Sequence, residues 1–277
     1  MSDGFTGETR TVAFEGVPFQ VDASDPSRPA WFALGVRKSG SSMFNRAVKL
    51  LAKFNAVNWI DLPGDLFEQD VPFFKWRDSE VPTPLVIGGN CYGGFRDCPT
   101  GLSRHPEFQR GRKVLLVRDP RDAIVSEYFS TARTHRMPEA GLQVEGGASD
   151  DMLKRRESAQ GQSVEDYALS AGGLLAETIG RYLPLLGDPG LLVLRYEDII
   201  FDKAQMVRDV AKHFEWKVTN GQVDAVLKWI DVRPEVEDPN QFIRKVTPGD
   251  HREKLSAPVI ARLDRMLGEA MEAFGYR

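Results

Sequence analysis

Cysteine and histidine are scarce in this 277-residue chain: it has two cysteines, Cys91 and Cys98, and four histidines. No His/Cys cluster has the spacing of a zinc site, so a structural zinc is excluded. The two cysteines lie close together in a Gly/Pro-rich stretch and could pair. Nothing else points to an oxidising compartment, so reduced thiols are expected. No apolar run approaches the ~18 residues of a membrane span, which excludes an integral membrane segment. No basic stretch leading into an apolar one opens the chain, so a cytoplasmic location is expected. Positive charge is also short: the net charge of −4 argues against nucleic acid as a partner, and any anion site must be locally basic. Internal repeats and a second domain are missing too. With 42% apolar and 27% charged residues, the composition is that of an ordinary globular protein with one large core.

Residues 1–10 are polar and expected to be flexible. Residues 11–21 alternate weakly around Gly16-Val17-Pro18, as in a hairpin. Five short apolar runs follow, at 31–35, 56–60, 85–87, 114–117 and 191–194, and helical patterns separate several of them. Strands alternating with helices predict a single α/β domain with a central parallel sheet of about five strands, covered on both faces. Further helices are expected at 164–186, 202–214, 221–230 and 256–274. The longest polar interruption, 136–162, contains Gly-Gly, Asp-Asp and Lys-Arg-Arg and reads as a mobile loop or lid.

Three segments carry chemistry. The first is Gly35-Val36-Arg37-Lys38-Ser39-Gly40-Ser41-Ser42, between a predicted strand and a helix that begins at Met43 and Phe44. Free N–H groups at a helix start and the helix dipole make such a turn an anion cradle. A nucleoside-triphosphatase P-loop ends in Gly-Lys-Ser/Thr. Here Lys38 precedes Gly40, and Ser41 stands where that Lys would be. The cradle is P-loop-like, but the wiring for phosphoryl transfer is altered. The second segment is Arg118-Asp119-Pro120-Arg121-Asp122, with Ser126 beyond it. Asp119 suits a helix N-cap and Pro120 the first helical position. Arg118, at a strand's carboxyl end, can hold a phosphate bidentately. The third segment, from Phe242 through Arg244 and Lys245 to Gly249 and Asp250, is a basic loop before a helix.

Together, and in this order, these segments resemble the sulfotransferase family that uses 3′-phosphoadenylyl sulfate (PAPS). Arg37-Lys38-Ser39-Gly40-Ser41-Ser42 looks like its phosphosulfate loop, typically Pro-Lys-Ser-Gly-Thr-Thr. Arg118 to Asp122, with Ser126, looks like its 3′-phosphate motif. Phe242-Ile243-Arg244-Lys245 and Gly249-Asp250 look like its closing loop, and Tyr196-Glu197-Asp198 matches a further element. The resemblance implies transfer of a sulfuryl group to a hydroxyl, or less often an amine, by in-line displacement, with PAPS as co-substrate and no metal. It implies that Lys38 serves the leaving phosphosulfate oxygen. Arg37, Ser39, Gly40, Ser41 and Ser42 would line the 5′-phosphate side, Arg118 and Ser126 would hold the 3′-phosphate, and Arg244 and Lys245 would close over it.

The acceptor side departs from the family. Cytosolic members carry Lys-Thr-His after the third strand. Here that region reads Leu85-Val86-Ile87-Gly88-Gly89-Asn90-Cys91, and Asn90, nearest the expected position, cannot be a base. Carbohydrate-modifying members use a Glu after the second strand, where this chain has Asp61, with Asp65 and Glu68 as fallbacks. Asp61 is therefore the candidate base, and a helix N-cap is its plain structural alternative. His105 and His135 read as surface residues, and His251 as structural or near the nucleotide. Met43 replaces a common stacking Trp, and Val246 a Gly. The acceptor, whether small molecule, lipid or carbohydrate, is expected to lie against residues 61–76, rich in Phe67, Phe73, Phe74 and Trp76, and the 136–162 stretch. A P-loop kinase and a non-catalytic nucleotide-binding module are the rival readings.

Overall fold

The computed structural model describes residues 10–14, 17–21, 25, 27–71, 86–135 and 146–276. Strands β1 (Arg10–Phe14) and β2 (Val17–Val21) pair antiparallel, as the alternation predicts. The central sheet has five strands: β3 (Trp31–Gly35), β4 (Asn58–Ile60), β5 (Asn90–Tyr92), β6 (Arg112–Val117) and β7 (Leu191–Arg195). All pair parallel, in the order β4-β5-β3-β6-β7. The helices are α1 (Ser41–Phe54), α2 (Leu62–Glu68), α3 (Pro106–Arg110), α4 (Pro120–Phe129), α5 (Ala148–Gln160), α6 (Val164–Gly180), α7 (Tyr196–Ile199), α8 (Lys203–His213), α9 (Asn220–Ile230), α10 (His251–Lys254), α11 (Ala257–Met266) and α12 (Gly268–Ala273).

Alternation along the strands divides the core in two. Trp31, Ala33, Val114 and Leu116 pack with α1, α8 and α9 on one face. Phe32, Leu34, Leu115 and Val117 pack with α4, α6, α11 and α12 on the other. All five residues of β3 are buried, which is why the strand reads as a continuous apolar run. β3 lies between β5 and β6, so the chain winds to one side of it and later to the other. The crevice outside its carboxyl end is the usual ligand position in such sheets.

Three expectations change. The third strand lies at Asn90–Tyr92, not at 85–87. Leu85 is outside the described residues, and Val86 and Ile87 do not join the ladder. The Ile87 N–H donates to the Tyr92 hydroxyl at 2.8 Å, while Cys91 and Tyr92 pair with Trp31 and Phe32. The polar stretch 136–162 is helical over Ala148–Gln160 rather than a loop, and 136–145 lie outside the described residues. Only Ala148, Ser149, Met152 and Ala159 of that helix are buried. Pairs Lys154–Asp150 (2.7 Å) and Arg155–Asp151 (2.8 Å) support its wet face, and the Ser149 N–H is tied to Asp70 at 2.7 Å. Finally, the predicted helix at 256–274 breaks at Leu267 into α11 and α12. The hairpin and the other predicted strands and helices stand close to their expected places. Residues 1–9 lie outside the described residues, and no helix among those described is long and apolar enough to cross a membrane. Cys91 and Cys98 are buried free thiols.

The sheet's tightest aromatic contact centres on Phe32, fully buried between Tyr92 (ring centroids 5.5 Å apart) and Phe108 (4.7 Å). Phe32→Ala is expected to cost about 3–5 kcal/mol. Urea unfolding reads this as a lower midpoint with an unchanged slope.

Candidate active site

The turn after β3 is held open by backbone geometry. Lys38 has φ 63° and Gly40 φ 88°, both left-handed. A Cβ on Gly40 would also come within 3.0 Å of the Tyr196 ring, so only glycine suits this position. Gly40 caps α1 without any side-chain cap, leaving first-turn N–H groups for a ligand. Ser39 is fully buried, and both its N–H (3.2 Å) and its hydroxyl (2.5 Å) donate to the Val36 carbonyl. It shapes the turn, while Ser41 is buried at the helix start and Ser42 is exposed.

Cations from three other segments converge on this turn. Burial draws Lys38 down to about 8; Glu127 opposes the shift, and Arg118, Arg96 and Arg244 add to it. The Lys38 Nζ lies 5.8 Å from the centre of the Phe242 ring. Arg118 is buried, donates to the Lys38 carbonyl at 3.3 Å and lies 4.5 Å over the Tyr196 ring. Its Nε has no hydrogen-bond partner among the described residues. Arg244 packs 4.3 Å over the Phe129 ring and pairs with Glu237 and Asp250. Lys245 is turned away to Asp250 (3.2 Å) and Glu253 (2.7 Å), and Arg37 to Glu127 (2.5 Å). Ser126 is half-buried on α4. Glu237, Asp250 and Glu253 cluster closely enough to attract a cation, but Arg244, Lys245 and Lys254 already neutralise them.

Asp122 fastens the third segment to the second. It accepts from the Gly249 N–H (2.7 Å), the His251 N–H (2.9 Å) and the His251 ring (2.6 Å), and Arg118 lies 3.6 Å away. Burial alone would raise its pKa. The His251 hydrogen bonds and the Arg118 charge outweigh that and hold the carboxyl well below the usual carboxylate range. His251 is therefore structural. Asp119 caps α4 by accepting from the Arg121 N–H at 2.9 Å, with Pro120 next, as the sequence predicts.

On the acceptor side, Asp61 caps α2, its Oδ1 accepting from the Gly64 N–H at 2.9 Å. It packs on Gly94, where a Cβ would lie 1.7 Å from Oδ1. Asn90 opens β5 rather than ending it, and Gly93-Gly94-Phe95-Arg96 leaves the strand's carboxyl end. Arg96, which sequence reasoning missed, donates to the Gly94 carbonyl at 2.8 Å. Burial pulls its pKa down, and the Asp61 charge opposes this. The signal for Arg96 was the Gly-Gly-Phe-Arg run, hidden by the misplaced strand. His135 is exposed, as the sequence predicts, with its ring stacked on Phe67 (6.4 Å, 11°). His105 is buried, not on the surface, and its Nδ1 caps α3 by accepting from the Glu107 N–H at 3.2 Å. Phe73, Phe74 and Trp76 lie outside the described residues.

A parallel α/β sheet with a cation-ringed turn at its switch point is the frame of a nucleotide-dependent group transferase. The sulfotransferase domain family matches the chain over residues 28–275, and the chain belongs to that family. Among solved structures, mouse sulfotransferase SULT7A1 complexed with PAP is similar at 11% identity and a TM-score of 0.56, covering 95% of both chains. Retinol dehydratase in complex with androsterone and the inactive cofactor PAP is similar at 16% identity and a TM-score of 0.51, covering 95% of this chain and 90% of the other. At these identities the likeness is one of fold. No curated protein matches the chain.

Because the Asp122 pKa is depressed on folding, its stabilising effect is complete above about pH 4. It is lost only as pH falls through the lower folded-state value. Asp122→Asn is expected to cost about 1.5–3 kcal/mol. It should speed hydrogen exchange at the Gly249 and His251 amides at neutral pH.

Proposed function

We propose that the protein transfers a sulfuryl group from PAPS to a hydroxyl, or less often an amine, of an acceptor molecule. The observation that carries this reading is the meeting of Lys38, Arg118, Arg96 and Arg244 beside the uncapped start of α1. A tetra-anionic nucleotide with charge at two ends fits such a set. The buried, unpartnered Nε of Arg118 also argues for an anion there. On this reading Arg118 and Ser126 hold the 3′-phosphate, and Arg244 closes over it. The α1 N–H groups with Ser41 and Ser42 receive the 5′-phosphate.

Lys38 carries the chemistry. Negative charge builds on the bridging oxygen as sulfur leaves it, and a fixed ammonium there stabilises the transition state. Where a P-loop kinase uses magnesium, this site offers fixed cations, and Ser41 occupies the kinase lysine's position. The acceptor's proton needs a base at the same edge of the sheet. Asp61 is the carboxylate at hand, with Oδ1 already engaged by Gly64. Phe67 and Phe242 offer apolar faces, which suits a small molecule, a lipid or a sugar face as acceptor.

Incubation with PAPS and a panel of hydroxyl and amine acceptors should yield sulfated product without magnesium. No product from any acceptor, with PAPS bound, would favour the binding-module reading. Lys38→Ala is expected to lower kcat by about 10²–10³, and Arg118→Ala to abolish the preference for PAPS over the analogue lacking the 3′-phosphate. Lys38 also predicts a pH effect. An anion beside it restores its proton, so nucleotide binding should take up a proton above about pH 8 and weaken as pH rises through that value. Calorimetry in buffers of different ionisation enthalpy measures the uptake.

A further inference from the structure

The central sheet ends in an open edge. β7 pairs with β6, in parallel, and no further strand joins it among the described residues. The Lys113 N–H donates to the Gly190 carbonyl at 2.8 Å, which fixes the phase of that ladder. Gly190, Leu192 and Leu194 turn their backbone groups to β6, so Leu191, Val193 and Arg195 turn theirs outward. The Leu191 N–H is taken by the Asp188 carbonyl at 3.0 Å. The backbone groups of Val193 open on a cavity of about 490 Å³ that Val193 and Leu194 help to line. An unpaired edge of this kind is a template for another strand.

The two walls of this cavity differ because they belong to opposite faces of the sheet. Leu192 and Leu194 point to the face that packs on α8, and Leu191 and Val193 to the face that packs on α6 and α12. On the α8 side the wall carries Asp198, Asp202, Gln205 and Asp209. On the other side it is apolar, with Phe274 and the exposed Leu186. Asp202 accepts from the Gln205 N–H at 3.1 Å, and Asp209 from the Gln205 side chain at 2.8 Å. Neither has a cation partner among the described residues. Asp198 meets Arg195 at 3.7 Å. One wall of the groove therefore carries uncompensated negative charge, and the other carries none.

We propose that this edge docks an extended segment of a partner protein whose side chains alternate between basic and apolar. Such a segment adds a sixth strand beside β7. Its backbone pairs with Val193, and its side chains alternate between the two faces as those of β7 do. On the α8 face they meet Asp202 and Asp209 and are lysine or arginine. On the other face they meet Leu186 and Phe274 and are apolar. The five residues of β7 call for a segment of about five to eight residues. A second copy of this chain fits worse. Two β7 edges paired about a twofold axis perpendicular to the sheet would set α8 beside α8, acid against acid. The chain's first nine residues contain no Lys or Arg, so they do not supply the segment either. None of the groove's residues is assigned to the nucleotide, and the proposal stands apart from the function proposed above.

The test uses the full chain and two fluorescein-labelled peptides of about eight residues, one alternating Lys with Val and one alternating Glu with Val. Fluorescence anisotropy should show binding of the Lys peptide that weakens as salt is raised, and no binding of the Glu peptide. Amide exchange at Val193 should slow when the Lys peptide is bound, because an added strand must bond that N–H. Asp198→Lys and Asp209→Lys, on different helices, should each weaken binding by about three- to tenfold. Thermal unfolding of each variant checks that it is folded. No binding of the Lys peptide, equal binding of the Glu peptide, or binding that leaves Val193 unprotected would overturn the proposal. So would a dimer in sedimentation that by itself slows exchange at Val193, because a second copy would then be the occupant.

Discussion

Like charges brought together out of water are costly, and this fold gathers Lys38, Arg96, Arg118 and Arg244 at one edge of its sheet. The rest of the site is arranged around that constraint. Carboxylates on neighbouring elements hold the outer cations: Asp122 lies beside Arg118, and Glu237 and Asp250 hold Arg244. Aromatic faces from Tyr196 and Phe129 support the same two guanidiniums. Lys38, at the centre, meets the Phe242 ring and is drawn towards its neutral form. A bound anion would offset this mutual repulsion.

Asp122 links that electrostatics to shape. One carboxylate on α4 receives two backbone N–H groups and a ring from the segment that carries Arg244, and faces Arg118. The two basic segments are thereby one unit. Their separation of more than a hundred residues in sequence is bridged by a single buried side chain. His251 takes part as a donor to Asp122, which explains why an imidazole suits this position.

The turn after β3 and the start of α4, to which the proposed nucleotide site is assigned, were legible because local rules govern them. A strand ending in a Gly/Ser turn before an amphipathic helix, and Asp119-Pro120 at a helix start, have few other uses. The side expected to face the acceptor was obscured by tertiary effects. Val86 and Ile87 are apolar and resemble a strand, yet Ile87 bonds the Tyr92 hydroxyl and the ladder forms at Asn90–Tyr92. That shift concealed Arg96. Helix α5 buries only four residues, so its polar sequence carried no period.

The central claim is that the cation-ringed turn recognises a nucleotide bearing separate 3′- and 5′-phosphates by fixed charges alone. Calorimetric titration with PAP, and separately with ATP, each with magnesium and with a chelator, tests it most directly. Recognition by fixed charges predicts PAP binding of equal strength in both conditions and no measurable ATP binding in either. Magnesium-dependent ATP binding, or indifference to the 3′-phosphate, would contradict it.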